Sequence, residues 1–502
     1  MSTLTYLAQG FSSALSMQNL LFALVGSILG TIVGILPGIG PTAGIALLLP
    51  ITGILPPTPA IIMLAAVYYG AMYGGSTTSI LMNIPGEISS VITCVDGYQM
   101  TKQGRAASAL AIAAISSFIA GTIALVGLSF FAPLVVNLAL KMGPPEILGL
   151  VFFAFTMVVS MAGRSLLRGL ASAAVGMFVS LIGLDSYVGA TRFTFGSTVL
   201  TGGVDFVAVI MGLFAMTEVF KDVVAETKLI SNVHLPPWHK MIKLSEIKQC
   251  FWSMVRSSFL GFFVGCVPGV TGGMVGFLSY EVERRVSKNR NNFGKGAIEG
   301  VAAPEGANNA WCSGSLVPLL TLGLPTHTAM AVLLSGLMIY GLQPGPLLFE
   351  TNPLFVWAVI ASMYIGNVML LILNLPLVGI WTRIVNVPYR FIAPMILLFC
   401  FVGTYSVRNS FFDVATCLVF GILGLLMGKL KIPTIPLVIS IILTDIFERS
   451  LRQTISMGGG SLEVLLNRPI AIAFILAGII ATSAVLYLRS HLRSGEVFFE
   501  GR

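Results

Sequence analysis

The chain reaches Lys102 before it meets any lysine or arginine, and the segment from Gly296 to Thr382 is again free of both. A water-facing surface draws on roughly a quarter charged residues, and this chain has 10% charged against 56% hydrophobic. Such a sequence can hide its side chains only in a bilayer. A spanning helix takes about 20 apolar residues, so the material suffices for about 12 spans, within roughly 10–14. Soluble enzymes, single-span receptors and disordered scaffolds are excluded. The sequence pI of 9.2 does not point to nucleic acid. The basic residues sit in short clusters between apolar runs, as cytoplasmic loops of membrane proteins do.

Spans are expected to begin with residues 20–36, 60–84 and 106–140 and to continue to 204–220. A polar loop follows at 221–249, then a second set starting at 251–278 and 310–340. The loop 221–249 and the segment from Glu281 to Lys295 both carry net positive charge, which places both in the cytoplasm. The apolar stretch between them must therefore cross twice or turn back. No secretory n-region precedes the first apolar run, so the start reads as uncleaved. The six cysteines form no C-x-x-C pair and no cluster with histidine; neither metal nor cofactor is implied.

The two halves echo one another. Gly34–Gly44 and Gly265–Gly276 both interrupt an apolar stretch with Pro-Gly and small residues (Pro37, Gly38, Gly40; Pro268, Gly269, Thr271). Further on, each half has a polar, glycine-rich stretch. The first holds Gly75, Ser76, Thr77, Thr78 and Asn83, ending at Glu87; the second holds Glu305, Asn308, Asn309, Ser313 and Ser315. The expected organisation is a first membrane repeat (1–220), a cytoplasmic linker (221–250), a second membrane repeat (251–490) and a tail (491–502). The fold class is an all-α polytopic membrane protein of two related halves, whose Pro/Gly-broken or re-entrant helices meet near the bilayer midplane.

Breaks at membrane depth survive only where protein or a watery cavity satisfies the backbone, and matched breaks in two halves mark the binding site of a secondary transporter. With no basic side chain nearby in sequence, an anion would be held by backbone N–H groups and by the hydroxyls and amides of Ser76, Thr77, Thr78, Asn83, Asn308, Asn309, Ser313 and Ser315. A coupling cation finds oxygen ligands in the same region, with Glu87, Glu299, Glu305, Asn83 and Asn309 as candidates. The plainer alternatives are that the glycines are packing surfaces, that Glu299 and Glu305 anchor a helix start, and that His327 is a packed residue. Arg408 and Asp413 read as a loop pair, with a buried ion pair as the alternative. No H-E-x-x-H, G-x-S-x-G or P-loop is present, which speaks against an intramembrane enzyme and an ATP-driven pump.

These motifs, with Asp96-Gly-Tyr98, Gly104-Arg-Ala106, the run Glu299–Asn309, Gly323-Leu-Pro325 and Gly341–Pro346, resemble the large membrane subunit of the tripartite tricarboxylate transporters, over residues 15–490. The resemblance implies a multi-pass protein of the bacterial inner membrane that works with a small four-span membrane subunit and a periplasmic solute-binding protein. It further implies uptake of a di- or tricarboxylate such as citrate, driven by Na⁺ or H⁺. A second copy of the chain is a further candidate partner. The competing function is a stand-alone carboxylate carrier or a channel; a channel would equilibrate its solute without accumulating it.

Overall fold

A computed structural model of the chain describes residues 2–36, 39–161, 165–185, 188–222, 235–384 and 389–492. Almost all regular structure is helical. The first six helices are α1 (Thr3–Ala14), α2 (Met17–Ile35), α3 (Gly40–Thr52), α4 (Pro57–Met82), α5 (Thr93–Lys102) and α6 (Ala106–Ala139). Next come α7 (Pro144–Met161) and α8 (Leu166–Ser180), the two-residue strands β1 (Gly183–Leu184) and β2 (Thr191–Arg192), and the short α9 (Thr198–Thr201), α10 (Phe206–Ile210) and α11 (Thr217–Asp222). The second half contains α12 (Leu244–Gly265), α13 (Gly272–Val286), α14 (Glu299–Leu322), α15 (Thr328–Ile339), α16 (Pro346–Thr351), α17 (Pro353–Asn374) and α18 (Val378–Ile384). The last helices are α19 (Tyr389–Arg408), α20 (Phe411–Lys429), α21 (Ile435–Met457) and α22 (Pro469–Leu492).

Among the described residues four helices are long and apolar enough to cross a membrane: α2, α6, α17 and α20. Shorter apolar helices, α3, α8 and α15 among them, add to these. The class is that of an all-α membrane protein. Two compact units are present, one of residues 1–140 with 205–425, the other of 141–204 with 426–502.

At the centre of the first unit lie α4 and α14. Every residue of α4 from Pro59 to Leu81 is buried, and so is every residue of α14 from Glu299 to Thr321. Both are longer than the roughly 30 Å hydrocarbon layer at about 1.5 Å per residue, yet both carry many hydroxyls and amides. Other helices wrap them, so their polar groups need never face lipid. The wrapping is close because glycines let backbones touch. A Cβ on Gly30 of α2 would lie 2.7 Å from the Cα of Val67 on α4, and one on Gly34 would lie 2.8 Å from the Cα of Ala71. On the other side, a Cβ on Gly261 of α12 would lie 3.0 Å from the carbonyl carbon of Ala307 on α14, and one on Gly265 would reach the carbonyl oxygen of Trp311 at 2.5 Å. These contacts correspond through offsets of 231 residues on the first helix (Gly30 to Gly261) and 240 on the second (Val67 to Ala307). In both pairs residue numbers rise together, so α2 runs parallel to α4 and α12 to α14.

Parallel partners joined by a short segment need a return. In the chain, α3 lies between α2 and α4, and α13 between α12 and α14, so each pair of helices α2–α3 and α12–α13 forms a hairpin. The expected break at Pro268-Gly269 falls in the tip of the second hairpin; the one at Pro37-Gly38 lies outside the described residues. Gly269 takes up a left-handed backbone (φ +85°), and its N–H donates to the carbonyl of Thr326 at 2.8 Å. The stretch 251–278, expected to turn back, does so here. Of the glycine-rich stretches expected as breaks, Tyr69–Glu87 and Glu305–Thr328, the first parts, to Met82 and Leu322, run inside unbroken helices; close helix packing repays the cost of glycine in a helix. The helix breaks come late in each stretch, at Asn83 and Gly323, both left-handed (φ +59° and +69°). The span expected over 310–340 is accordingly two helices, α14 and α15.

Two further differences are local. Arg408 and Asp413 form an ion pair at 2.6 Å with the Asp413 side chain fully buried, and Asp205 lies 3.6 Å from the same guanidinium. The pair ties the end of α19 to the start of α20, with Asp413 buried and Arg408 exposed. The loop expected over 221–249 ends earlier, because α12 already begins at Leu244, and residues 223–234 lie outside the described chain.

In the second unit α7 packs on α22, with Phe153 and Phe474 ring centroids 6.4 Å apart, and α8 on α21, where Ser172 Oγ donates to the carbonyl of Pro433 at 2.5 Å. Arg192 of β2 bonds Glu448 at 2.8 Å, and Arg452 bonds Asp185 at 2.8 Å and Glu448 at 2.5 Å, fastening the strand pair to α21.

Candidate functional site

The polar faces of α4 and α14 meet in a ladder. Ser76 Oγ donates to Glu305 Oε2 at 2.5 Å; the hydroxyls of Tyr69 and Ser313 are hydrogen-bonded; Tyr68 Oη lies 3.5 Å from Ser315 Oγ. Residue numbers rise along α4 as they fall along α14, so the two helices are antiparallel, and the ladder from Tyr68 to Ser76 is about 12 Å long. Around it, Tyr73 Oη donates to Asn367 Oδ1 at 2.6 Å, and Asn309 Nδ2 to Ser117 Oγ at 2.7 Å.

The turn after each central helix folds back onto this ladder. After α4, the N–H of Gly86 donates to the carbonyl of Gly75 at 3.4 Å, which brings Glu87 beside α14. There its Oε1 accepts from Asn308 Nδ2 at 3.4 Å and from the Ser89 hydroxyl, and its Oε2 from the Ser89 N–H at 3.0 Å. After α14, the turn through Pro325 brings His327 back to Tyr68, with Nε2 3.0 Å from the phenol oxygen and the imidazole stacked on Trp311 at 4.2 Å. Under the offset of 240, Glu87 corresponds to His327 and Asn308 to Tyr68. The two turns thus make the same contact with exchanged halves.

The hairpin tips take part in the same exchange. Thr42, at the start of α3, has its hydroxyl 3.0 Å from that of Thr328, at the start of α15. Its counterpart Gly273, at the start of α13, packs on Ile88: an added Cβ would lie 3.0 Å from the Ile88 carbonyl oxygen. Each half's hairpin tip touches the other half's return turn.

Glu305 is buried and bonded through both oxygens. One oxygen accepts from Ser76 and the other from Thr93 Oγ1 at 2.5 Å, and its carbonyl accepts from Asn309 Nδ2 at 3.2 Å. The nitrogens of Asn308 and Asn309 are fixed by facing acceptors, a carboxylate and a carbonyl, so their amide oxygens point elsewhere. Both oxygens are buried without a hydrogen-bond partner. Such atoms, beside two carboxylates, suit a cation. A cavity of about 10 Å³ opens on the ladder among Tyr73, Ser76, Thr77, Ser117 and Asn374, room for about one water molecule. A multi-carbon anion needs more, so this conformation holds the ladder closed.

The model of the tripartite tricarboxylate transporter TctA family matches residues 20–439. The chain belongs to that family. Membership makes it a multi-pass membrane component of a transport system with further subunits, in a family of transporters and not of enzymes. A protein of Agrobacterium vitis, described as an uncharacterized 52.8 kDa protein in the TAR-I ttuC' 3' region, is 40% identical over 506 residues, covering 100% of this chain and 99% of its own. A second, described as an uncharacterized protein in the TAR-II ttuC' 3' region of the same organism, is 39% identical over 240 residues, 48% of this chain and 99% of its own. No solved structure matches.

In this TctA-family chain the structure gathers Gly75, Ser76, Thr77, Glu87, Glu305, Asn308, Asn309, Ser313 and Ser315 at the ladder, as the sequence reading grouped them. Thr78 lies beside them, its hydroxyl turned to the carbonyl of Gly75 at 3.4 Å. Gly40, Pro268, Gly269 and Thr271 stand at the hairpin tips, where Thr271 caps α13 through Met274 N–H at 3.4 Å. Two residues fall elsewhere. Asn83 is solvent-exposed at the C-terminal cap of α4. Glu299 opens α14, where Asn289 Nδ2 donates to it at 2.7 Å and Ser287 Oγ at 3.4 Å, so it ties down the preceding loop. The sequence reading missed Tyr68, Tyr69, Tyr73 and Thr93 as ladder members and placed no role on Trp311. A phenol in an apolar helix gives little sign of itself until its hydroxyl finds a partner.

Proposed function

We propose that this chain is the large permease subunit of a tripartite, binding-protein-dependent secondary transporter that takes up a small di- or tricarboxylate across the bacterial inner membrane, driven by Na⁺ or H⁺. Its partners are a periplasmic solute-binding protein and a small four-span membrane subunit. The observation that carries the reading is the exchange of contacts between two hairpin tips and two return turns around a buried polar ladder.

The halves are inverted in this reading. Equivalent helices α4 and α14 are antiparallel, which a two-fold axis in the membrane plane requires. The basic residues Lys240 and Lys243 precede α12 and Lys248 lies near its start, and Arg284, Arg285 and Lys288 end or follow α13, so this hairpin enters from the cytoplasm. The α2–α3 hairpin has no basic residue at either end and enters from the periplasm. Parting one tip from its return turn opens the ladder to one side; parting the other opens it to the opposite side. Glu87 and Glu305, with the amide oxygens of Asn308 and Asn309, take the coupling cation or proton, and its charge offsets the carboxylate so that the loaded site can change sides. Ser76, Thr77, Ser313 and Ser315 supply neutral hydrogen bonds, which let the solute leave.

Uptake of labelled citrate, succinate and malate into proteoliposomes holding all three components, under imposed Na⁺ and proton gradients, tests this. Accumulation above equilibrium that collapses with one gradient is expected. Equilibration without accumulation would favour a channel, and accumulation without the binding protein a stand-alone carrier.

A further inference from the structure

Along α14 and the turn that ends it, four buried polar atoms lack a hydrogen-bond partner: Asn308 Oδ1, Asn309 Oδ1, Trp311 Nε1 and Thr326 Oγ1. They divide by chemistry. The two amide oxygens only accept and stand on the side of Glu87 and Glu305. The indole nitrogen only donates, and the threonine hydroxyl donates to any anion. Both belong to the His327 side: Trp311 stacks on His327, and Thr326 precedes it in the chain.

Burying a donor without a partner costs free energy that a fold ordinarily avoids. Trp311 is only 3% exposed and Thr326 is fully enclosed. Trp311 is wedged at the tip of the second hairpin: an added Cβ on Gly272 would lie 3.3 Å from its ring. Thr326 is held there too, since its carbonyl accepts from Gly269 N–H at the same tip. The two donors thus both meet the tip of the second hairpin. No lysine or arginine occurs between Gly296 and Thr382 to supply a competing charge.

We propose that Trp311 Nε1 and Thr326 Oγ1 anchor a carboxylate group of the transported solute, with His327 positioning the indole, while the acidic return turn of the first half serves the coupling ion. The equivalent positions Glu87 and His327 then divide an inverted pair into a cation half and an anion half. This rests on the carboxylate-carrier reading above. Two neutral donors suit the two oxygens of a carboxylate and hold it without a fixed positive charge, so it can dissociate on the far side.

The test is equilibrium binding of labelled citrate, succinate and malate to the full chain in nanodiscs, with NaCl or choline chloride, at neutral and acidic pH. Trp311→Phe keeps the ring and removes the N–H; Thr326→Val keeps the shape and removes the hydroxyl; Thr326→Ser restores it. A lost hydrogen bond to a charged group predicts binding weakened about tenfold or more in the first two and near wild type in the third. The melting temperature of each unliganded variant, kept near wild type, separates this from unfolding, and Thr326→Val decides if Trp311→Phe fails to fold. Saturable wild-type binding that neither substitution weakens overturns the assignment and leaves the carrier reading standing. A wild-type chain that binds none of the three carboxylates under any condition overturns both.

Discussion

Two asparagines with the same side chain have opposite fates here, and backbone geometry decides between them. Asn309 is fully buried, with Nδ2 bonded to Ser117 and to the Glu305 carbonyl and Oδ1 left over. Asn309→Leu removes the donor and the free oxygen together. Ion-driven uptake is expected to vanish while membrane insertion, checked by quantitative blot of the membrane fraction, stays at the wild-type level. Uptake at the wild-type rate would make the amide a packing group. Asn83 instead ends α4 in the left-handed region, which glycine adopts freely and asparagine tolerates because its short polar side chain can hydrogen-bond to nearby backbone, as an apolar leucine cannot. Asn83→Gly is expected to leave uptake and melting temperature unchanged, whereas Asn83→Leu costs about 1–2 kcal/mol of stability in a detergent melting curve. From sequence the two residues look alike, because both stand in polar, small-residue stretches. Glu305 is different: an acid in the interior of a small-residue helix is legible as a site candidate, but its partners Ser76 and Thr93 are remote in sequence and become visible only once the helices cross.

At the level of helices, a Pro-Gly pair and a glycine-rich stretch read alike in a sequence yet do different things. The pair at Pro268-Gly269 was legible as an interruption because proline removes a helical N–H and the following glycine permits a reversal. The glycines of Tyr69–Ser79 and of Glu305–Pro318 could not be told from breaks, because their role is set by a neighbouring helix and not by their own backbone. Gly74 faces Thr31, and Gly314 faces Phe262, a contact pair related by the same offsets of 231 and 240. The consequence is testable. Gly30→Ala and Gly261→Ala each push a methyl into backbone, and each is expected to lower stability by about 1–3 kcal/mol, read as a drop in melting temperature by fluorescence-detected size exclusion. Gly366→Ala is the control, since nothing lies within 4 Å of the added carbon. If the two variants melt with wild type, α2 and α12 do not approach the central helices as closely as described.

For the molecule as a whole, the matched motifs were legible and the direction in which the matched helices run was not. Motif pairs at offsets of 231 and 240 can be read off the sequence, but whether matched helices run parallel or inverted depends on which way α4 and α14 run past each other, and that is a matter of contacts such as Ser76 with Glu305 and Tyr69 with Ser313. Nor does the linear order reveal that residues 1–140 pack with 205–425 while 141–204 pack with 426–502. The exchanged contacts carry a mechanical prediction. If the ladder opens when a hairpin tip leaves the opposite return turn, tethering one pair must stop transport although it touches no ladder residue. Thr42 and Thr328, whose hydroxyls lie 3.0 Å apart, are the place for the tether. In a background with the six native cysteines replaced, the double variant Thr42→Cys, Thr328→Cys is expected to form a disulfide under mild oxidation, to lose uptake, and to regain it on reduction, while each single variant is indifferent to oxidant. The counterpart pair Ile88→Cys, Gly273→Cys probes the other tip, and in an inverted device it should block access from the other side. A cross-linked protein that still accumulates carboxylate would mean that these contacts persist through the cycle and that some other part of the fold does the opening.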